Sequence, residues 1–207
     1  MPDPFRIRCR RPEDFAGIRA LMARVYPPPL HGPEAVWSER SLLHHQTHFP
    51  EGQFVAEAVD GALIGTSTSM RTLRVRALEP HTWLEMTGQG TLSTHDPDGD
   101  TLYGVNIAVD PAWQGKHVGH GLYDARLALA RRLGCRTFVA GARLAGYHRH
   151  ANHLSPERYL EEVVAGRIFD PTISKQIRLG FQVRGLLRDY APDPETHGHA
   201  ALIVMDL

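Results

Sequence analysis

The spacing of apolar positions divides the chain into short strands and amphipathic helices. Phe5-Arg-Ile-Arg-Cys-Arg10 alternates apolar and basic side chains, as a half-buried strand does. From Pro12 the period changes. Phe15, Ile18, Leu21, Met22 and Val25 fall three and four apart and predict a helix, opened by Pro12 and closed by Pro27-Pro28-Pro29. A second helix is expected from about Pro33 to His48, through Val36, Trp37, Leu42 and Leu43. Gln53–Val59 and Ala62–Met70, joined at Asp60-Gly61, read as a β-hairpin. Val105–Val109 is a further strand, stopped at Asp110-Pro111, and Thr137–Ala140 another. Between them a helix runs on from Gly119 with Leu122, Ala125, Leu129 and Leu133 on one side and Gly134 as its stop. Ser155 with Pro156 opens a helix to Val164, and Asp170-Pro171 opens one to Leu179, stopped by Gly180. Phe181–Tyr190 and Ala200–Met205 are the last two strands. Residues 74–100 follow neither period; they are expected to form an irregular insertion, either a disordered surface loop or a lid over a site. No internal repeat is present, and the chain is read as one domain over 1–207.

The chemistry concentrates where the strand ending at Val109 meets the helix that follows. Gln114-Gly115-Lys116-His117-Val118-Gly119-His120-Gly121 places small residues around a helix start, whose first amides have no acceptor of their own. Such a turn suits a diphosphate. No Gly-Lys-Ser/Thr triplet is present to hold a nucleotide triphosphate and its magnesium. The glycine spacing, and the lack of an acidic residue at the end of the next strand, fail the dinucleotide fingerprint. A strand-to-helix turn without a ligand would not need this many small residues.

This strand–loop–helix–strand unit resembles the acetyl-CoA-binding core of the GNAT superfamily of N-acetyltransferases. The family pattern Gln/Arg-x-x-Gly-x-Gly/Ala is filled by Gln114 to Gly119, after Val109-Asp110-Pro111. His117 stands where the first glycine of the pattern usually sits; its β-carbon is tolerable at negative φ but narrows the approach of a phosphate. The resemblance implies an α/β (α+β) fold with a mixed, mostly antiparallel central sheet of about six to seven strands flanked by helices. That sheet would splay at a central parallel pair. It also implies acetyl-CoA as co-substrate, with amides of Ile107, Ala108 and Val109 along the pantetheine and those of Gln114, Gly115, Lys116, His117, Val118, Gly119 and His120 around the pyrophosphate. The C-terminal third, with Gly141–Tyr147, Asp170–Phe181 and Asp189–Ala200, resembles the acetyltransferase half of bacterial proteins joined to a nitrilase-like amidohydrolase. A functional link to an amidohydrolase is therefore expected as one partner relationship.

Composition narrows the setting. The chain has 207 residues with 23 basic and 23 acidic side chains, so no net field recruits nucleic acid or an anionic membrane. No apolar run approaches the ~20 residues of a membrane span, and Met-Pro-Asp-Pro-Phe does not read as a signal peptide. Cys9 and Cys135 are read as reduced thiols of a cytoplasmic protein. The fold admits a homodimer, though nothing in the chain demands one. The histidine groups His44/His45/His48 and His148/His150/His153 lack a carboxylate third ligand, so no metal is expected.

Acetyl transfer to a small-molecule amine needs the amine to lose a proton, the thioester oxygen to be stabilised and the thiolate to leave. In the family a tyrosine on the late helix often protonates that thiolate, two residues before the basic-Leu-Gly-Phe ending. Here Gln176 holds the position, ahead of Arg178-Leu179-Gly180-Phe181. Glutamine cannot supply a proton, which leaves Tyr147, Tyr190 or water as acid. Asn106 could orient an amine without taking its proton. Asp100 and His95 could relay a proton through water, and Arg143 and His148 lie near the expected splay. With Gln176 in the tyrosine position, a catalytically weak acyl-CoA-binding sensor or partner module stays open beside the direct-transfer enzyme.

Overall fold

A computed structural model describes residues 4–28 and 35–207. Among them a seven-stranded sheet has the order β1-β2-β3-β4-β5-β7-β6. The strands are β1 (Phe5–Cys9), β2 (Gln53–Ala58), β3 (Leu63–Thr72), β4 (Thr101–Val109), β5 (Thr137–Arg143), β6 (Gln182–Leu187) and β7 (Ala200–Asp206). Every neighbouring pair is antiparallel except β4 and β5, which run parallel. The mixed, mostly antiparallel sheet expected from the motif is the one present.

Strict alternation along the strands sorts side chains onto two faces. Tyr103, Val139, Leu202 and Val204 pack on one face with Ile18 and Met22 of α1 (Phe15–Val25) and Leu42 of α2 (Glu39–His48). Phe138, Ala140, Ala201 and Ile203 face the other way. They meet Tyr123 of α5 (Val118–Arg132), Leu160 of α6 (Pro156–Val164) and Ile173 of α7 (Ile173–Arg178).

Several boundaries differ from the sequence reading. The helix expected from about Pro33 begins at Glu39, because the Ser38 side chain accepts the Ser41 amide at 3.1 Å and caps it there; Pro33 itself lies outside the described residues. β3 runs on to Thr72, and β4 begins four residues before Val105, at Thr101. The last helix is shorter than 170–179, since Asp170 spends its carboxylate on the amides of Thr172 and Ile173.

Segment 74–100 holds two short helices, α3 (Arg74–Leu78) and α4 (Trp83–Thr87), followed by a wide turn through Leu92. Ala77, Met86 and Leu92 are fully buried in the core on the α1 face. Thr82 and Glu85 form a reciprocal cap that starts α4. His45 fastens the segment from α2: its Nε2 lies 2.8 Å from the Gly90 carbonyl, and its ring meets Trp37 edge-on at 4.6 Å.

Burial lowers the His45 pKa from 6.5 to about 4, against the opposing pull of the Gly90 carbonyl, and Nδ1 has no partner for a second proton. The folded-state value is depressed, so this stability is complete above pH 6.5 and is lost as pH falls toward about 4. About 2 kcal/mol should disappear between pH 7 and pH 5 in urea unfolding. His45→Gln, which keeps a donor for Gly90 without titrating, should flatten that slope; equal slopes in both proteins would contradict this role.

Candidate active site

The parallel register between β4 and β5 runs from Thr101↔Thr137 to Gly104↔Ala140 and stops. Each strand then continues only on its outer partner, β4 along β3 to Val109 and β5 along β7 to Arg143. On β4 the parting coincides with a bulge. Thr68 pairs Asn106 and Ser69 pairs Gly104, leaving Val105 as the extra residue. The Val105 carbonyl accepts from Trp83 Nε1 at 3.1 Å.

The Asp110 amide donates to Ile64 of β3 at 2.9 Å. By the two-residue alternation, Ala108 and Asn106 direct their amides the same way. Ile107 and Val109 therefore present theirs to the open side, and Ala108, expected to share that task, faces β3 instead.

The loop beyond β4 is fixed by Asp110. Its carboxylate accepts the Ala112 amide at 2.9 Å and Arg24 Nε at 2.8 Å. Gln114 is extended and exposed, and Gly115 turns the chain at φ 78°. Lys116 folds its ammonium over the Trp113 ring at 4.9 Å. His117 caps α5 at φ 63°, in the left-handed region, where the sequence reading required a negative φ. A β-carbon there costs about 1 kcal/mol. The amides of Val118, Gly119 and His120 form the first turn and have no acceptor within the helix. Gly119 is open: an added Cβ would meet only Val109, at 4.0 Å. Beside this turn a surface groove of about 650 Å³ is bordered by Phe5, Arg6, Ile7, His120 and Asp124.

On the α1 face, Asn106 Nδ2 reaches the Tyr26 hydroxyl at 3.4 Å, and its Oδ1 is buried without a partner among the described residues. Tyr190 packs against Gly141, the first residue of β5 past the parting; an added Cβ there would lie 2.6 Å from the Tyr190 hydroxyl. That hydroxyl is 2.9 Å from the Tyr103 hydroxyl, which is 2.8 Å from His81 Nε2. His81 Nδ1 sits 2.7 Å from the Glu79 carbonyl and donates to it, so Nε2 is the acceptor end of the row. Burial pushes Tyr190 up to about 12 against its bonds to Tyr103 and Gly141, and burial lowers His81 despite the Glu79 carbonyl and Glu85. His81 opens onto a second groove of about 230 Å³ with Arg76, Glu79 and Glu85 on its walls. Nearby, Arg143 is held by Asp193 at 2.5 Å and Glu195 at 2.7 Å.

On the α5 face, Gln176 is buried and its Nε2 donates to the Tyr123 hydroxyl at 2.8 Å. Asp170 anchors the end of the sheet nearby, accepting from the Gly146 amide and the Tyr159 hydroxyl. Tyr147 belongs to the following loop. Its hydroxyl donates to the Leu154 carbonyl at 3.1 Å and its ring packs against Tyr159, which commits its proton to holding that loop.

His95 and Asp100 lie at the opposite end of β4 and accept the amides of Arg71 and Arg74, so neither reaches the parting. His148 is tied through its amide to Glu195. Among the described residues no three His, Cys, Asp or Glu converge as metal ligands. Tyr123, Tyr103, His81 and Arg126 were not singled out by sequence. Their partners stand 22 to 87 residues away, at separations no local pattern encodes.

The Acetyltransferase (GNAT) family matches residues 17–154, and the chain belongs to that family. It is 37% identical over 157 residues to "Probable hydrolase YhcX" of Bacillus subtilis (strain 168), covering 76% of this chain but only 30% of that protein. It is 30% identical over 190 residues to "Uncharacterized N-acetyltransferase YkwB" of the same organism, covering 92% of this chain and 83% of that one. Among solved structures, "GphF GNAT-like decarboxylase in complex with isobutyryl-CoA" superposes with TM-score 0.79 at 30% identity, over 97% of this chain and 98% of that chain.

An acid placed in the first turn of α5 separates fold from ligand binding. Gly119→Glu suits the positive end of the helix and should leave the melting temperature unchanged or raised. The same carboxylate would oppose a diphosphate, so coenzyme A affinity should fall more than about tenfold by calorimetry. Undiminished affinity would remove the first turn of α5 from the binding site.

Proposed function

We propose that this chain binds an acyl-CoA along the open edge of β4 and transfers its acyl group to the amine of a small molecule by direct attack on the thioester. The observation that carries this reading is the parting of β4 from β5 on a strand that leads through a short loop into a helix start whose amides have no acceptor in the helix. The Ile107 and Val109 amides suit the amide-bearing pantetheine arm. The amides of Gly115 and of His117 to His120 suit the diphosphate, with Gln114 and the Lys116 side chain at its edge, the Lys116 amide being turned to the Trp113 carbonyl.

The acceptor enters on the α1 face. The unpartnered Oδ1 of Asn106 takes one amine hydrogen and orients the lone pair toward the carbonyl. The proton shed on attack passes to Tyr190 while Tyr190 gives its own to Tyr103 and Tyr103 gives its own to His81. Asp193 and Glu195 outnumber the single Arg143 they hold, so this side is net acidic and favours a cationic acceptor over a carboxylate one. The product would be an amide, the bond an amidohydrolase opens, which agrees with a link to such an enzyme and with the match to YhcX.

A second reading has its own support in the 0.79 superposition on a GNAT-like decarboxylase. An acyl-CoA with a carboxylate β to the thioester carbonyl could lose carbon dioxide in the same cleft, since the carbonyl accepts the electrons released. Acetyl-CoA with an amine panel and malonyl-CoA alone, followed by mass spectrometry and thiol release, separate the two. N-acetyl product equal to thiol released is expected; carbon dioxide from malonyl-CoA with no amine product would replace transfer by decarboxylation. Coenzyme A binding with neither reaction would leave the sensor module.

Tyr190→Phe should lower kcat about 100-fold with KM held, since it removes the first carrier of the row. The neutral His81 must accept, so turnover should rise with pH across its depressed titration, and His81→Gln should abolish that limb. A Tyr190→Phe enzyme with full kcat would remove the row from proton transfer.

A further inference from the structure

We infer that Tyr123, held in place by Gln176, gives the departing thiolate its proton. The inference rests on the acyl-transfer reading above and concerns the α5 face of the same cleft.

Tyr123 lies in the second turn of α5, buried among aromatic rings, 6.1 Å from Phe138 and 5.6 Å from Phe181. Its hydroxyl oxygen receives the hydrogen bond from Gln176 Nε2 at 2.8 Å, because an amide nitrogen can only donate. That leaves the phenol's own hydrogen to point elsewhere. The other end of Gln176, Oε1, is buried with no partner among the described residues. A pair that served only to tie α5 to α7 would be expected to close both of its ends, since an orphaned buried oxygen costs about 1–3 kcal/mol.

Arg126, one turn further along α5, supplies the second unusual feature. The residue is 2% exposed, and its guanidinium carbon lies 5.4 Å from the Tyr123 ring centre and 4.7 Å from that of Phe138. Nε donates to Ser69 Oγ at 2.9 Å; among the described residues no carboxylate pairs with it. Its Nη2 fills the space beside Gly104, where an added Cβ would stand 2.4 Å away. Gly104 is the last residue of β4 that pairs with β5. A phenol with a free proton, an amide that positions it and an uncompensated cation thus gather under the point where the strands part.

The step balances without another reagent. The amine nitrogen bonds to the carbonyl carbon, the carbon–sulfur bond breaks, and its electron pair goes to sulfur. The Tyr123 hydroxyl proton passes to sulfur and completes the free thiol. The phenolate left beneath Arg126 takes a proton from water, matching the one the amine delivers through His81 to solvent. Tyr123 is the catalytic group, and Gln176 is a positioning residue that acts through it.

Coenzyme A and desulfo-coenzyme A, which lacks the sulfur, test the contact without any acceptor. At pH 9 the wild type should bind coenzyme A about tenfold more tightly than the desulfo compound. Tyr123→Phe should erase that ratio and leave desulfo affinity unchanged. In turnover, Tyr123→Phe should lower kcat about 100-fold at constant KM. Adding Gln176→Tyr to that variant, which moves the phenol to the facing helix, should recover at least about tenfold. A packing role alone would not produce that rescue.

If wild type and Tyr123→Phe discriminate the two ligands equally and turn over equally, the assignment of Tyr123 fails while acyl transfer stands. If the wild type binds neither ligand, the acyl-CoA reading fails and Tyr123 falls with it.

Discussion

Beyond Gly104 and Ala140 the inner edges of β4 and β5 carry backbone donors and acceptors that no strand among the described residues satisfies, and the contacts around them keep them so. Each strand is locked on its outer side, β4 to β3 through Val109 and β5 to β7 through Arg143. The Val105 bulge adds local twist to β4, and the Trp83 indole holds the bulged carbonyl. Arg143, at the far end of β5, is drawn toward the 193–195 turn by two carboxylates. Closing the gap would require these contacts to break together. An open inner edge is a liability in water and an asset to a ligand that carries amides of its own.

In the transfer reading the two faces of the sheet divide the proton chemistry. On the α1 face, Tyr190, Tyr103 and His81 form a row that ends at a solvent groove, with the accepting nitrogen at its outer end. On the α5 face, Tyr123 and Gln176 are enclosed by Phe138, Phe181 and the aliphatic parts of α7. The sheet lies between them, so a group that accepts and a group that donates do not neutralise each other directly. In the transfer reading this separation lets one face lose a proton to solvent while the other supplies one to sulfur.

Sequence carried some of this and not the rest, for physical reasons. The turn between β4 and α5, the helix from Gly119 and the hairpin about Asp60-Gly61 are written in local spacing, and they stand where the spacing puts them. Segment 74–100 was opaque because α3 and α4 are each five residues long, too short for a helical period to emerge. Its order comes from distant partners such as His45 and Tyr190, whose backbone carbonyl takes the Trp83 amide. Gln176 was visible as a departure from a pattern, but its partner Tyr123 is 53 residues away and looked like one more residue of an amphipathic helix. Tyr147 drew notice from its place after β5; only three-dimensional packing reveals that Leu154 claims its hydrogen. The positive φ of His117 is likewise set by the geometry of entry into α5 rather than by anything the histidine prefers.

Helix α5 links the two ends of the cleft in one rigid piece. Its first turn carries amides with no acceptor in the helix, and Tyr123 follows about 7 Å along the axis, with Arg126 near 12 Å. An unbroken helix from Val118 to Arg132 fixes those intervals more firmly than a loop could. Stability alone does not explain what it carries. Arg126 is dehydrated enough that its pKa is pulled down to about 10, and replacing such a buried cation by a well-packed apolar side chain is often neutral or stabilising. The strained His117, the Gln176 oxygen that has no partner among the described residues, and Arg126, bonded to Ser69 and Thr68 but to no described carboxylate, all lie on or against this helix. Three separate costs to folding are thus concentrated on one element, and in the acyl-transfer reading that element is the one that lies along the cofactor.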